Sequence, residues 1–219
     1  MHDTNTPNPD IIVVGLVGAA QSGKSTVADI LCRDYDFVRL ANATPLKYML
    51  ANGLRLTHDQ LYGSEKDTVI PELKTTPRWL MQSLGTEWGR KLIHPDIWVY
   101  ALNQNIRSMS SPSAPIRRCR FVIEDVRFFN EEALVRTYDG FIWGTRRPSV
   151  EPDTSRTTQV LRRLRLRPQL HPSERHWPTL MQHADHVFYN TATKAELEVQ
   201  IIAEADQLFG SGTQPSLPL

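Results

Sequence analysis

The segment Gly18-Ala19-Ala20-Gln21-Ser22-Gly23-Lys24-Ser25 fits the spacing G-x-x-x-x-G-K-[ST] at every constrained position. That spacing serves phosphate chemistry. Glycines let the backbone curl into a nest of N–H groups facing phosphate oxygens, and a helix that starts at the lysine adds the positive end of its dipole. Lys24 is placed to bridge the β- and γ-phosphates of a nucleoside triphosphate, and the Ser25 hydroxyl to sit on a magnesium ion. Gly18, Ala19, Ala20, Gln21, Ser22, Gly23, Lys24, Ser25 and Thr26 are therefore the expected donor-nucleotide residues.

A second set of charges stands about a hundred residues on. The apolar run from Cys119 to Ile123 ends in Glu124 and Asp125, with Arg127 two residues later. In a parallel sheet ligands collect outside the carboxyl ends of the strands, so Asp125 would face the magnesium ion. Its competing role is to cap the helix that follows. Arg127 would reach either a phosphate or Glu131, four residues ahead. Lys24, Asp125 and Arg127 are the catalytic candidates, and Ser25 and Asp125 the metal candidates.

A third feature is positive charge. Arg146, Arg147, Arg156, Arg162, Arg163, Arg165, Arg167 and Arg175 face only Glu151, Asp153 and Glu174 within the same stretch, which has no lysine. Arginine forks grip phosphate in pairs of hydrogen bonds, so the stretch is expected to form a lid over anionic substrate. The alternative is a solvated basic helix with Leu161, Leu164 and Leu166 on its apolar side.

These residues need elements to position them. Ile11 to Leu16 is a β-branched run suited to a strand covered on both faces, and Lys24 to Arg33 changes to helical spacing with Val27, Ile30 and Leu31 inward. Further strands are expected at Phe37–Leu40, Cys119–Glu124, Gly140–Thr145 and His186–Tyr189. Helices are expected around Pro45–Leu54, Thr76–Leu92, Asp96–Ser108, Asn130–Thr137 and Lys194–Phe209. The alternation predicts an α/β fold, a five-stranded parallel sheet flanked by helices. We expect one P-loop domain over residues 11–209, with excursions at about 42–95 and 147–178. Residues 1–10 and 210–219 read as an arm and a tail outside the fold.

Composition removes other classes. The chain has 219 residues, with 25 Lys and Arg against 24 Asp and Glu, a net charge of +1. A protein that coated nucleic acid would be distinctly basic, so no stable nucleic-acid partner is expected. Cys32 and Cys119 are far apart and outside any C-x-x-C pattern, which leaves structural zinc and disulfide scaffolds without a basis. No apolar run approaches the ~20 residues of a spanning helix, and the first residues lack a secretory pattern. The expected location is the cytoplasm. His176, His183 and His186 lack metal-ligand spacing. Trp79, Trp88 and Trp98 are expected to serve the core before any stacked base.

Several further segments share one pattern. They are Arg78-Trp79-Leu80-Met81-Gln82-Ser83-Leu84-Gly85-Thr86-Glu87, then Trp98-Val99, Asp125-Val126-Arg127 with Glu131, His171-Pro172-Ser173-Glu174, and Asp185 through Asn190. With the glycine loop they resemble the bacteriophage-type deoxynucleoside monophosphate kinases of the P-loop nucleoside monophosphate kinase group. The resemblance runs over almost the whole folded length. It implies transfer of the γ-phosphoryl group of ATP to a deoxynucleoside 5′-monophosphate, giving the diphosphate and ADP, with Mg²⁺ as cofactor. By position it implies Arg78 and Arg127 on the acceptor phosphate and Gln82, Thr86 and Trp88 on the acceptor nucleoside. It also implies a homodimer. Ser25 departs from some phage members, which carry Asp there, and the stretch between residues 54 and 78 is short for the family.

Such chemistry needs no general base, because a phosphomonoester with its second pKa near 6 is already mostly dianionic at neutral pH. Two other readings remain. One is a different small P-loop kinase, acting on a coenzyme precursor or a modified nucleotide in DNA. The other is a non-catalytic nucleotide-dependent switch, against which stands the lack of any N-K-x-D guanine motif.

Overall fold

The computed structural model describes residues 11–150 and 176–210. Five parallel strands lie in the order β2-β3-β1-β4-β5: β1 Ile12–Val17, β2 Val38–Leu40, β3 Arg120–Ile123, β4 Phe141–Arg146 and β5 His186–Tyr189. The expected five-stranded sheet is borne out, and β1 sits at its centre. Val14 pairs with Val122 of β3 and with Phe141 of β4, so both neighbours are in register at the same residue.

Side chains alternate across this sheet, and both faces are covered. On one face Val14, Leu16, Val122, Trp143 and Phe188 pack with Val27, Ile30 and Leu31 of helix α1, Lys24–Asp34, and with Leu197 and Ile201 of the last helix, Lys194–Phe209. On the other face a Cβ on Gly15 would stand 2.9 Å from Val135 of the helix Phe129–Thr137, so that helix approaches β1 as closely as a glycine permits. Burial on both faces is why β1 reads as an unbroken apolar run.

Packing divides the chain into two compact units, Met1–Arg39 with Pro112–Leu219, and Leu40–Ser111. The second unit is helical: α2 Thr44–Leu54, α3 His58–Leu61, a 3₁₀ turn at Ser64–Asp67, α4 Pro77–Gln82 and α5 Ile97–Ser110. Leu46, Leu50, Leu56, Leu61 and Trp98 form its core. In chain order the first unit adds α6 Phe129–Thr137, α7 Trp177–Gln182 and α8 Lys194–Phe209.

The helical segment expected around Thr76–Leu92 is present, in two parts. After α4 the chain continues from Ser83 to Ile93 as a wider π-helix. Trp98 packs on this segment: its ring lies against Gly89 and its Nε1 donates to the Gly85 carbonyl at 2.8 Å. Both glycines are buried, and a Cβ at Gly89 would come within 2.7 Å of the indole. Helical periodicity alone carries no sign of that ring. The short helices α3 and α7 and the 3₁₀ turn escaped the sequence reading because each has fewer than two full turns. α3 nevertheless carries a capping box, Thr57 Oγ1 accepting from Gln60 N and Gln60 Oε1 from Thr57 N.

Candidate active site

The loop between β1 and α1 takes backbone conformations that its sequence permits. Gly18 and Gly23 have φ of +153° and +118°, and Gln21 lies in the left-handed region at +62°. An alanine Cβ at Gly18 would stand 2.5 Å from the Thr145 carbonyl oxygen, so only glycine passes there. Gly23 occupies the N-cap position of α1 and no side chain caps the helix, whose positive end faces the cleft.

That cleft has a volume of about 510 Å³ and belongs wholly to the first unit. Gln21, Gly23, Lys24, Ser25 and Thr26 line it from the loop, and Asp125 and Arg127 from the end of β3. The parallel pairing of β1 with β3 places both strand ends on the same edge of the sheet. Lys24, Arg127, Arg147 and Lys194 supply positive charge to the lining, and Glu124 and Asp125 negative charge.

Lys24 folds back over the loop, its Nζ donating to the carbonyls of Gly18 at 2.8 Å and Ala19 at 2.7 Å. Gly18, Ala19, Ala20 and Ser22 do not line the cleft; the Ser22 side chain points into the sheet and is fully buried. Arg127 is exposed, while Glu131 beneath it is buried and accepts the backbone N–H of Arg127 at 2.7 Å and of Phe128 at 3.2 Å. A carboxylate that binds the turn through two N–H groups fixes where Arg127 emerges.

Arg78, Gln82, Thr86 and Trp88 lie together in the helical unit, on α4 and the π-helix. Arg78 is held by Asp67 through Nε at 2.6 Å and Nη2 at 2.9 Å. Trp88 is tilted against Trp98, ring centroids 6.3 Å apart. Trp98 is core, whereas Trp79 is largely exposed. Most of the expected lid, residues 151–175, lies outside the described residues, together with six of its arginines and the His171–Glu174 motif.

The sequence reading did not single out Glu124, Asn190 or Lys194, and counted Arg147 only with the lid. All four line the cleft. Asn190 follows β5 directly and donates from Nδ2 to the Ser22 carbonyl at 3.0 Å. Its signal was the strand-end motif Asp185 to Asn190.

No protein-family model matches the chain. A protein of Acanthamoeba polyphaga mimivirus named "Putative deoxynucleotide monophosphate kinase" is 27% identical over 208 residues, 90% of this chain and 97% of that protein. The chain is similar to viral deoxynucleotide monophosphate kinases. The resemblance read from the motifs is thereby borne out. A deoxynucleoside-5′-monophosphate kinase of Escherichia phage T5 is 38% identical over 81 residues, 37% of this chain and only 30% of the phage protein. Among solved structures, a dephospho-CoA kinase from Campylobacter jejuni superposes with a TM-score of 0.48 at 17% identity, over 91% of this chain and 97% of that one. No helix among the described residues is long and apolar enough to cross a membrane.

Proposed function

We propose that the protein transfers the γ-phosphoryl group of ATP to a deoxynucleoside 5′-monophosphate, giving the diphosphate and ADP. The observation that carries this reading is one cleft lined at once by Lys24, Ser25, Asp125 and Arg127. The similarity to viral kinases supplies the acceptor class.

The donor residues fit a magnesium ion. The Ser25 hydroxyl and the Asp125 carboxylate are oxygen donors in the same cleft, which suits a cation that fills its other positions with waters and phosphate oxygens. When bound, the ion neutralises charge on the transferring phosphates. Lys24, whose Nζ donates to the Gly18 and Ala19 carbonyls, would add positive charge to the β- and γ-oxygens. Arg127, and Arg78 in the helical unit, are the acceptor-phosphate candidates. Gln82, Thr86 and Trp88 are candidates for the acceptor nucleoside. No residue need remove a proton from a dianionic acceptor, so catalysis is alignment and charge neutralisation.

The test is a coupled ADP-release assay with ATP, Mg²⁺ and each deoxynucleoside monophosphate in turn. At least one monophosphate should raise turnover well above the ATPase background. If none does, the kinase reading is wrong.

A further inference from the structure

We propose that Thr145 is a positioning residue for the donor loop, acting through the hydroxyl of Ser22; the proposal rests on the donor site assigned above. Thr145 lies on β4, 123 residues from Ser22, and the two hydroxyl oxygens are 2.6 Å apart. Both residues are buried, Ser22 fully and Thr145 at 1% exposure, so neither hydroxyl has water as an alternative partner.

The geometry around this pair is that of a clamp. Gly18, at the start of the loop, packs so closely on Thr145 that an added Cβ would meet both its carbonyl oxygen and its Oγ1 within 2.8 Å. At the far end, Asn190 Nδ2 donates to the Ser22 carbonyl, and Asn190 N donates to the Arg146 carbonyl at 2.8 Å. Ser22 is thus tied by its side chain to β4 and by its carbonyl to the residue after β5. A loop with three residues at positive φ has little regular structure of its own to hold it, and these ties come from the neighbouring strands instead. Ser22 directly precedes Gly23 and Lys24, so the tie fixes where α1 begins and where the Lys24 side chain starts. Thr145 is not one of the residues that line the cleft.

The test uses the full chain with Thr145→Val, which keeps the shape and removes the hydroxyl, and Thr145→Ser, which restores it. The KM for ATP should rise about tenfold in Thr145→Val, as losing roughly 1.4 kcal/mol of loop organisation implies. The acceptor KM should stay within about twofold of the parent, and Thr145→Ser should return the ATP KM close to the parent value. An ATP KM unchanged in Thr145→Val, or a loss spread equally over both substrates and unrelieved by serine, overturns the proposal. Equilibrium titration with ATP reads the same tie without turnover, with tenfold weaker binding in Thr145→Val expected and equal binding in all three chains overturning it. A parent chain that binds ATP but phosphorylates no monophosphate would remove the kinase reading and leave the titration to decide the role of Thr145.

Discussion

Glu131 Oε2 accepts the backbone N–H of Arg127 at 2.7 Å, four residues back along the chain, and so pins the turn between β3 and α6 from inside. Glu131 is 2% exposed, and removing its carboxylate would leave two N–H groups without this acceptor. Glu131→Ala should lower stability by about 1–3 kcal/mol in urea unfolding and raise the acceptor KM as Arg127 loses its mount. Glu131→Gln retains an acceptor oxygen and should lie between the two. Arg127→Ala should reproduce the kinetic loss with little change in stability, since its side chain is exposed.

Lys24→Ala should lower phosphoryl transfer by at least ~100-fold, the effect of deleting one preorganised charge in a site of this kind. Circular dichroism should show the fold intact, because the Lys24 side chain is no part of the buried core and donates to the loop carbonyls of Gly18 and Ala19. Activity surviving in the variant would remove the loop as donor site. Chelation should abolish turnover and added Mg²⁺ restore it, with Asp125→Asn shifting the required Mg²⁺ concentration upward.

The π-helix makes its own prediction. Gly89→Ala forces a Cβ to within 2.7 Å of the Trp98 ring, an overpacking that should cost about 1–3 kcal/mol. Trp98→Phe keeps an aromatic ring but drops the bond to the Gly85 carbonyl, with a loss of about 1–2 kcal/mol. Thermal unfolding measures both. Near-neutral results would mean that Trp98 packing does not stabilise the π-helix.

Arg78 and Asp67 are both well exposed, so their pair should matter more to the acceptor than to stability. Arg78→Ala should raise the acceptor KM and leave the ATP KM unchanged in the coupled assay. The hydrogen bond from Arg78 holds the Asp67 carboxyl below its usual range. The pair's contribution is therefore present above about pH 4 and fades as pH falls through the lowered value. Any Tm difference between the parent and Asp67→Asn should shrink below that pH; a difference growing on acidification would reverse the assigned sign.

Much of this protein was legible in its residues because the relevant physics is local. The β-branched run of β1 and the glycines beside Lys24 announced strand, loop and helix, since left-handed backbone and two-sided burial each demand particular side chains. Arg127 stayed ambiguous between phosphate and Glu131 because spacing cannot show which atoms of a turn a carboxylate binds. The structure gives Glu131 to the backbone, an outcome four-residue spacing alone does not contain.

By itself, then, the sequence determined the phosphate loop, the alternation of strands and helices and the kinase-like motifs, all set by residues within one turn or one strand of each other. Tertiary structure alone decided the strand order, the packing of Trp98 on the π-helix, and the pairing of Ser22 with Thr145. Each of these depends on which distant segment arrives beside a given residue, and a hydroxyl or a glycine has the same local preferences whatever arrives.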